Sequence, residues 1–336
     1  MIRIAMTENV DESSWERLID ESRVHDIFQS VDWANVMRKE FGCIPKFVIL
    51  HENEKLVGGL LMFKKNIFGV FPVYESHGGP LILPEYRGYL SRMFDYISNI
   101  DNQLYILLRP SALNGCRRLL LNKNLIPIKI YTILIDLSLT EDVLWKELKK
   151  QARWSIRKAQ KIGVMTQEAT SKWEWDYFYN VYSEHCRQHG IARKTKAFLD
   201  YLFEILVPRN RAKLFLARYK GNIVGGSLFL IYESKMYYYI NASNPYARDT
   251  CANDAIMWYA IKWGKMHGVK TLDLSDLGPE KEPYYGINFF KKKWGGELVS
   301  RDIYVNRRLY SIVASMILKS RLMRRVYELL HQISII

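Results

Sequence analysis

Two stretches of this chain hold side chains whose types and spacing could do chemistry. The first is KKQARWSIRKAQKIGV, Lys149 to Val164, sixteen residues without a carboxylate. On a helix, Lys146, Lys149, Lys150, Arg153, Arg157 and Lys161 fall on one side, and Trp154 projects among them. Cations around an indole could pair with phosphates and stack a base, which is the chemistry of a polyanion site. A solvated charged face is the plainer alternative. The second stretch is DLSDLGPEKEPYYGINFFKKKWGGE, Asp273 to Glu297. Asp273 and Asp276 stand where a β-rich run ends, at the mouth of any cleft there. Asp276 is the candidate to accept a proton from an amine or to orient it. A carboxylate shortly before Gly278-Pro279 could equally serve a turn. No Ser-His-Asp or Cys-His arrangement can be placed. His77, His185 and His189 have no spacing that demands catalysis or a metal, so no metal is expected.

The elements around these residues follow from periodicity. Trp145, Leu148, Ala152, Ile156 and Ala159 recur at three- and four-residue steps and form one apolar stripe. Ser138 and Glu141 read as a capping box at its start, and Gly163 as its stop. The basic face is therefore expected on one continuous helix. Elsewhere the chain repeats itself. KFVILHENEKLVGGLLMF from Lys46 and KLFLARYKGNIVGGSLFL from Lys213 match at an offset of 167 residues, at Lys46, Val57, Gly58, Gly59 and Leu61. Each reads as a hairpin with a polar turn. Each is followed by a strand, a helix and a strand: Val70 to Glu75, Tyr86 to Ser98 and Gln103 to Leu108 in the first half. In the second half these are Lys235 to Asn241, Asn253 to His267 and Thr271 to Leu274. Such an order predicts an α/β (α+β) protein built from two mixed sheets flanked by helices.

At 336 residues, two domains of ordinary size are expected. Lys and Arg number 49 against 35 Asp and Glu, a net charge of +14, which favours polyanions as partners. Cys43, Cys116, Cys186 and Cys251 are too scattered for a zinc site or a disulfide frame, which suits a reducing compartment. The first residues lack an apolar signal-peptide core, and no run approaches the ~20 apolar residues that span a bilayer. A cytoplasmic protein is expected. A basic amphipathic helix over about Arg307 to Ile333 could pack on the body or lie on an anionic membrane at the inner face.

The run K-K-x-x-R-W-x-I-R-x-A-x-K-x-G-V, followed far downstream by Phe290-Lys291-x-x-Trp294-Gly295, resembles Fem-type aminoacyltransferases, from about Phe28 to Tyr304. That family builds peptidoglycan cross-bridges from aminoacyl-tRNA on a duplicated GNAT-like acyltransferase fold. The resemblance implies tandem GNAT-like domains at 1–138 (acceptor side) and 139–306 (catalytic motif and acyl donor). Residues 307–336 would form the terminal helix, able to pack on the first domain, with the substrate cleft near the domain junction. It implies that Lys291 polarises the acyl carbonyl, with Lys292 and Lys293 as basic surface. It places Lys150, Arg153, Trp154, Arg157 and Lys161 on the RNA. On the substrate side it implies Trp33, Arg38, Tyr74, Gly79 and Tyr285. The chain departs from the family at Met37, where a phosphate-contacting lysine is common, and at Gly78, where Gly78-Gly79-Pro80 replaces R-G-P. Arg248 to Asn253 stands where ordinary GNAT enzymes hold coenzyme A pyrophosphate, but it lacks glycine and carries Asp249. No cofactor is therefore expected. The implied reaction moves an aminoacyl group from charged tRNA to an amine of an envelope precursor. An acyl-coenzyme A or acyl-carrier enzyme acting on an amino sugar, and a non-catalytic RNA- or membrane-binding protein, remain open alternatives.

Overall fold

The computed structural model describes residues 1–41, 43–67, 71–100, 105–109, 116–121, 125–190, 193–279 and 284–306. The helix expected over 307–336 lies outside the described residues. The described residues divide into two compact units, 1–130 with 301–306, and Tyr131–Ser300.

In the first unit the described elements run β1 (Ile2–Thr7), α1 (Glu12–Ser22), α2 (Val31–Phe41), β2 (Ile44–Glu52), β3 (Lys55–Ile67), β4 (Phe71–His77), β5 (Leu81–Ile82), α3 (Leu90–Ser98), β6 (Tyr105–Arg109) and α4 (Cys116–Leu121). β7 (Leu125–Asp136) then leads into the second unit. There follow α5 (Glu141–Glu147), α6 (Lys150–Lys161), β8 (Met165–Glu168), α7 (Lys172–His189), α8 (Lys196–Tyr201), β9 (Ala212–Tyr219), β10 (Asn222–Tyr232), β11 (Lys235–Ser243), α9 (Tyr246–Thr250), α10 (Ala252–Met266), β12 (Thr271–Asp273), α11 (Tyr285–Lys292) and β13 (Glu297–Asn306).

The strands of the two units follow the same plan. β1, β2, β3 and β4 are antiparallel neighbours and β4 runs parallel to β6. β8, β9, β10 and β11 repeat that order, and β11 runs parallel to β12. The repeat extends to backbone detail. Both hairpins turn through two residues, and the first of each, Asn53 or Lys220, adopts the left-handed conformation (φ 53° and 49°). Both carry a bulge at the same place, Val57 in β3 and Val224 in β10, immediately before the paired glycines. The second glycine of each pair admits an aromatic ring from a helix. A Cβ would lie 2.7 Å from the Trp15 indole at Gly59 and 2.6 Å from the Phe178 ring at Gly226. Val-Gly-Gly thus encodes a bulge followed by a close helix–sheet approach, twice.

The first unit takes its sixth strand from a distant part of the chain. In the first unit β6 pairs antiparallel with the end of β13, Leu108 opposite Tyr304. In the second, β12 pairs antiparallel with β7, Thr271 opposite Asp136 and Asp273 opposite Leu134. The division between units falls inside β7, upstream of residue 138, and the chain returns to the first unit from Arg301. Ile133, Ile135 and Leu137 join Phe229, Met236, Ile256, Ile261 and Leu272 in the core of the second unit.

The single helix expected across Ser138 to Gly163 is broken. Leu148 and Lys149 are extended, with ψ of 138° and 151°. Thr140, not Ser138, caps α5 by accepting from the Val143 N–H, while Ser138 turns back onto the Asp136 carboxylate. Gly163 does end α6, at φ 82°. Its N–H reaches the Gln160 carbonyl and the Val164 N–H reaches that of Ala159, a Schellman closure.

Candidate active site

Parallel β11 and β12 stay paired for only three residues, up to Tyr237 opposite Asp273. Beyond that point β12 becomes a loop, Leu274 to Pro279, and β11 runs on without it. A gap at the carboxyl ends of parallel strands is where an α/β sheet can admit a substrate. Polar groups line its base. Ser275 takes a left-handed conformation (φ 60°), and its hydroxyl donates to the Tyr238 carbonyl at 2.6 Å, bridging the parted strands. The buried Asp273 carboxylate accepts the Ser275 N–H at 2.9 Å and lies 2.5 Å from the Thr132 hydroxyl. Asp273 therefore holds the loop, which leaves the partly exposed Asp276 as the better candidate to meet a substrate.

Lys291 comes to this loop from α11. It is 7% exposed, and its ammonium donates to the Asp276 carbonyl at 2.8 Å. Burial pushes the group down to about 8, against the pull of the Asp276 and Asp273 carboxylates. An ammonium held in a partly dry site can stabilise an oxyanion, and such a donor is worth ~3–4 kcal/mol. Lys291 and Asp276, both candidates from sequence, meet here through the Asp276 backbone carbonyl. Tyr285 opens α11 and is half exposed. A residue that the sequence reading missed lies between them. Asn288 is 1% exposed, and its amide makes two hydrogen bonds to Gly278. The available signal was a lone amide inside the apolar run of α11, one turn before Lys291.

Lys293, read as surface, is buried and forms a 2.6 Å ion pair with Asp254 of α10. Burial raises the Asp254 carboxyl, and the Lys293 ammonium and the Ser155 hydroxyl of α6 oppose that rise. The Lys149 N–H also donates to the Lys293 carbonyl at 3.0 Å. α6, α10 and α11 are tied at one point, which places the basic helix and the Lys291 loop on one framework. Along α6, Lys150, Arg157 and Lys161 are exposed, and Trp154 is 58% exposed with the Lys158 ammonium 5.2 Å from its ring. Arg157 also lies 5.4 Å from the Trp145 ring. Arg153 differs from that expectation. Its guanidinium donates to the carbonyls of Lys146 and Leu148, which the break after α5 leaves without helical partners.

The residues expected on the substrate side of the first unit are mostly interior. Trp33 has no exposed surface and packs edge-on to Phe28 at 5.2 Å, so it is a core residue. Tyr74 is 3% exposed. Gly79 is buried with φ 67°, where a Cβ would meet Leu60 at 2.7 Å. Arg38 is exposed and donates to the Glu8 carbonyl at 2.9 Å, anchoring the turn after β1. His77 and Glu75 form a buried pair at 2.7 Å. In the second unit, Tyr246–Thr250 is helical and Cys251 is left-handed at the start of α10, so the coenzyme A position holds a helical turn in place of a glycine loop. Among the described residues no cluster of His, Cys, Asp and Glu could hold a metal, and no helix is long and apolar enough to cross a membrane.

Residues 146–285 match the model of the Acetyltransferase (GNAT) domain. A Lipid II:glycine glycyltransferase of Staphylococcus haemolyticus is 32% identical over 106 residues, 29% of this chain and 25% of that protein. The aligned part is thus about a quarter of the length of the curated relatives. The crystal structure of FemX superposes with a TM-score of 0.74 at 15% identity, covering 92% of this chain and 99% of that one. A tandem GNAT protein from the clavulanic acid biosynthesis pathway superposes with a TM-score of 0.57 at 13% identity, covering 91% and 98%. The order of strands in each unit and these likenesses together give the chain the fold of tandem GNAT proteins, with an acetyltransferase (GNAT) domain over residues 146–285.

Proposed function

We propose that this protein is an aminoacyltransferase that takes an aminoacyl group from charged tRNA and joins it to an amine of a peptidoglycan-type precursor. The observation that carries this reading is Lys291, buried at the parting of β11 and β12 and aimed at the Asp276 loop. The acceptor amine attacks the ester carbonyl, a C–N bond forms and the C–O bond to the tRNA ribose breaks. Lys291 stabilises the oxyanion, and Asp276 takes the amine proton, which leaves with the ribose oxygen as a hydroxyl. α6 supplies Lys150, Arg157, Lys161 and Trp154 to the acceptor stem. The glycyltransferase relatives act on lipid II by name, which supports a precursor of that class as acceptor. The helical turn at Tyr246–Thr250 favours tRNA over coenzyme A as donor. Contact with an anionic membrane would follow from a lipid-linked acceptor.

The test is to incubate the protein with a pool of tRNA charged with radiolabelled amino acids and with muropeptide precursors, both lipid-linked and nucleotide-linked. A precursor heavier by one aminoacyl residue is expected. Transfer from acetyl-coenzyme A alone, or from neither donor, would overturn the reading.

A further inference from the structure

α11 meets the 274–278 loop at two rungs. At the first, Asn288 uses both ends of its amide on one residue. The Gly278 N–H donates to Oδ1 at 2.9 Å, and Nδ2 donates to the Gly278 carbonyl at 2.9 Å. A carboxamide presents the same donor–acceptor pair as a peptide unit, so this is a sheet-like rung made by a side chain. At the second, Lys291 donates to the Asp276 carbonyl. Three residues along a helix advance ~4.5 Å and return to nearly the same face. The loop steps back from Gly278 to Asp276 as the helix steps forward from Asn288 to Lys291, so the rungs run antiparallel and reinforce one register.

The other side of the loop is fixed independently. Leu274 and Leu277 donate to the Ile133 and Tyr131 carbonyls of β7, and Ser275 bridges to β11. α11 itself begins without a side-chain cap. The Lys291 rung cannot hold the register during a reaction in which the same ammonium turns to a new oxyanion. Asn288 already spends both ends of its amide on Gly278, so its rung does not depend on the lysine.

We propose that Asn288 is the positioning residue that locks α11 to Gly278 and so fixes where the Lys291 ammonium points. This rests on the acyl-transfer reading above for its kinetic consequences, but its geometric core does not. Aspartate would keep the acceptor and lose the donor, and alanine would lose both. In either case Gly278 would be left with an unmatched backbone group in a partly buried place.

The experiment is competitive labelling of the intact protein with acetic anhydride across pH 6 to 11, read at Lys291 by mass spectrometry. In the native protein half-labelling is expected near pH 8. In Asn288→Ala it should move toward the ordinary lysine value of ~10.4, with faster labelling, as water reaches the freed ammonium. In the transfer assay kcat should fall ~10- to 100-fold with KM nearly unchanged, and Asn288→Ala should cost nothing further in a Lys291→Met background. A folded Asn288→Ala protein with native labelling would overturn the proposal. Should that variant fail to fold, hydrogen exchange in the native protein decides. The Gly278 amide must be strongly protected, and fast exchange there refutes the lock. Shifted labelling without transfer from any charged tRNA would uphold Asn288 and remove the functional reading instead.

Discussion

Lys291 combines two properties that are normally opposed, a charge and a nearly complete burial. Its assignment as the oxyanion donor leads to a kinetic expectation. With the ammonium acting only as charge develops, as proposed, Lys291→Met should lower kcat and kcat/KM together by on the order of 10²–10³. Lys291→Arg should recover little, since a planar guanidinium cannot reach the same point. A rise in KM alone would assign the lysine to binding. A second expectation concerns stability. The unfolded lysine titrates near ~10.4 and the folded one near 8. Between those values the unfolded chain keeps a proton that the folded chain has lost, so stability rises with pH through that window. Relative to Lys291→Met, the native protein should therefore gain on the order of a few kcal/mol from pH 8 to 10, seen in urea midpoints. A constant difference would mean that the ammonium is well hydrated. Lys291 and Asp276 were readable because a motif and a strand end marked them. Lys293 was not, because Asp254, the partner that allows its burial, lies on α10 and shares no local pattern with it.

α5 and α6 show how far periodicity carries at the scale of an element. Leu148, Ala152, Ile156 and Ala159 are buried as the stripe requires, and the stripe continues in phase across the break, so periodicity could not reveal two extended residues. That break changes what the cations do. Arg153 answers the open carbonyls of α5, whereas Lys150, Arg157 and Lys161 face solvent. Charge reversal of Lys150 and Arg157 should weaken tRNA binding and reduce its salt slope by about one unit for each phosphate no longer neutralised. Arg153→Ala should instead lower the melting temperature and leave the slope unchanged. Trp154→Ala should cost ~1–3 kcal/mol of binding if the indole stacks on a base. Filter binding at several salt concentrations separates these outcomes. Equal slopes in all variants would make α6 a solvated face.

Across the whole molecule the duplication was legible from Val57-Gly58-Gly59 and Val224-Gly225-Gly226, because a bulge and a ring-bearing close approach demand those residue types. The exchanged sixth strands were not legible. β7 and β13 are ordinary strands in composition, and nothing local says that each closes the sheet of the other half of the chain. That exchange decides which fragments can fold. A piece spanning 139–306, the division suggested by sequence, lacks β7. It would lose Ile133, Ile135 and Leu137, each 4% exposed or less, and would leave β12 unpaired on one side. Burial of one such side chain is worth ~1.5–3 kcal/mol, so the three together rival the ~5–15 kcal/mol that holds a domain folded. A piece spanning 125–300 keeps β7 and the whole of Tyr131–Ser300. The longer piece should therefore melt cooperatively and protect the Leu272 amide from exchange, whereas 139–306 should show neither. If both fragments melt alike, β7 contributes little and the division belongs nearer residue 138.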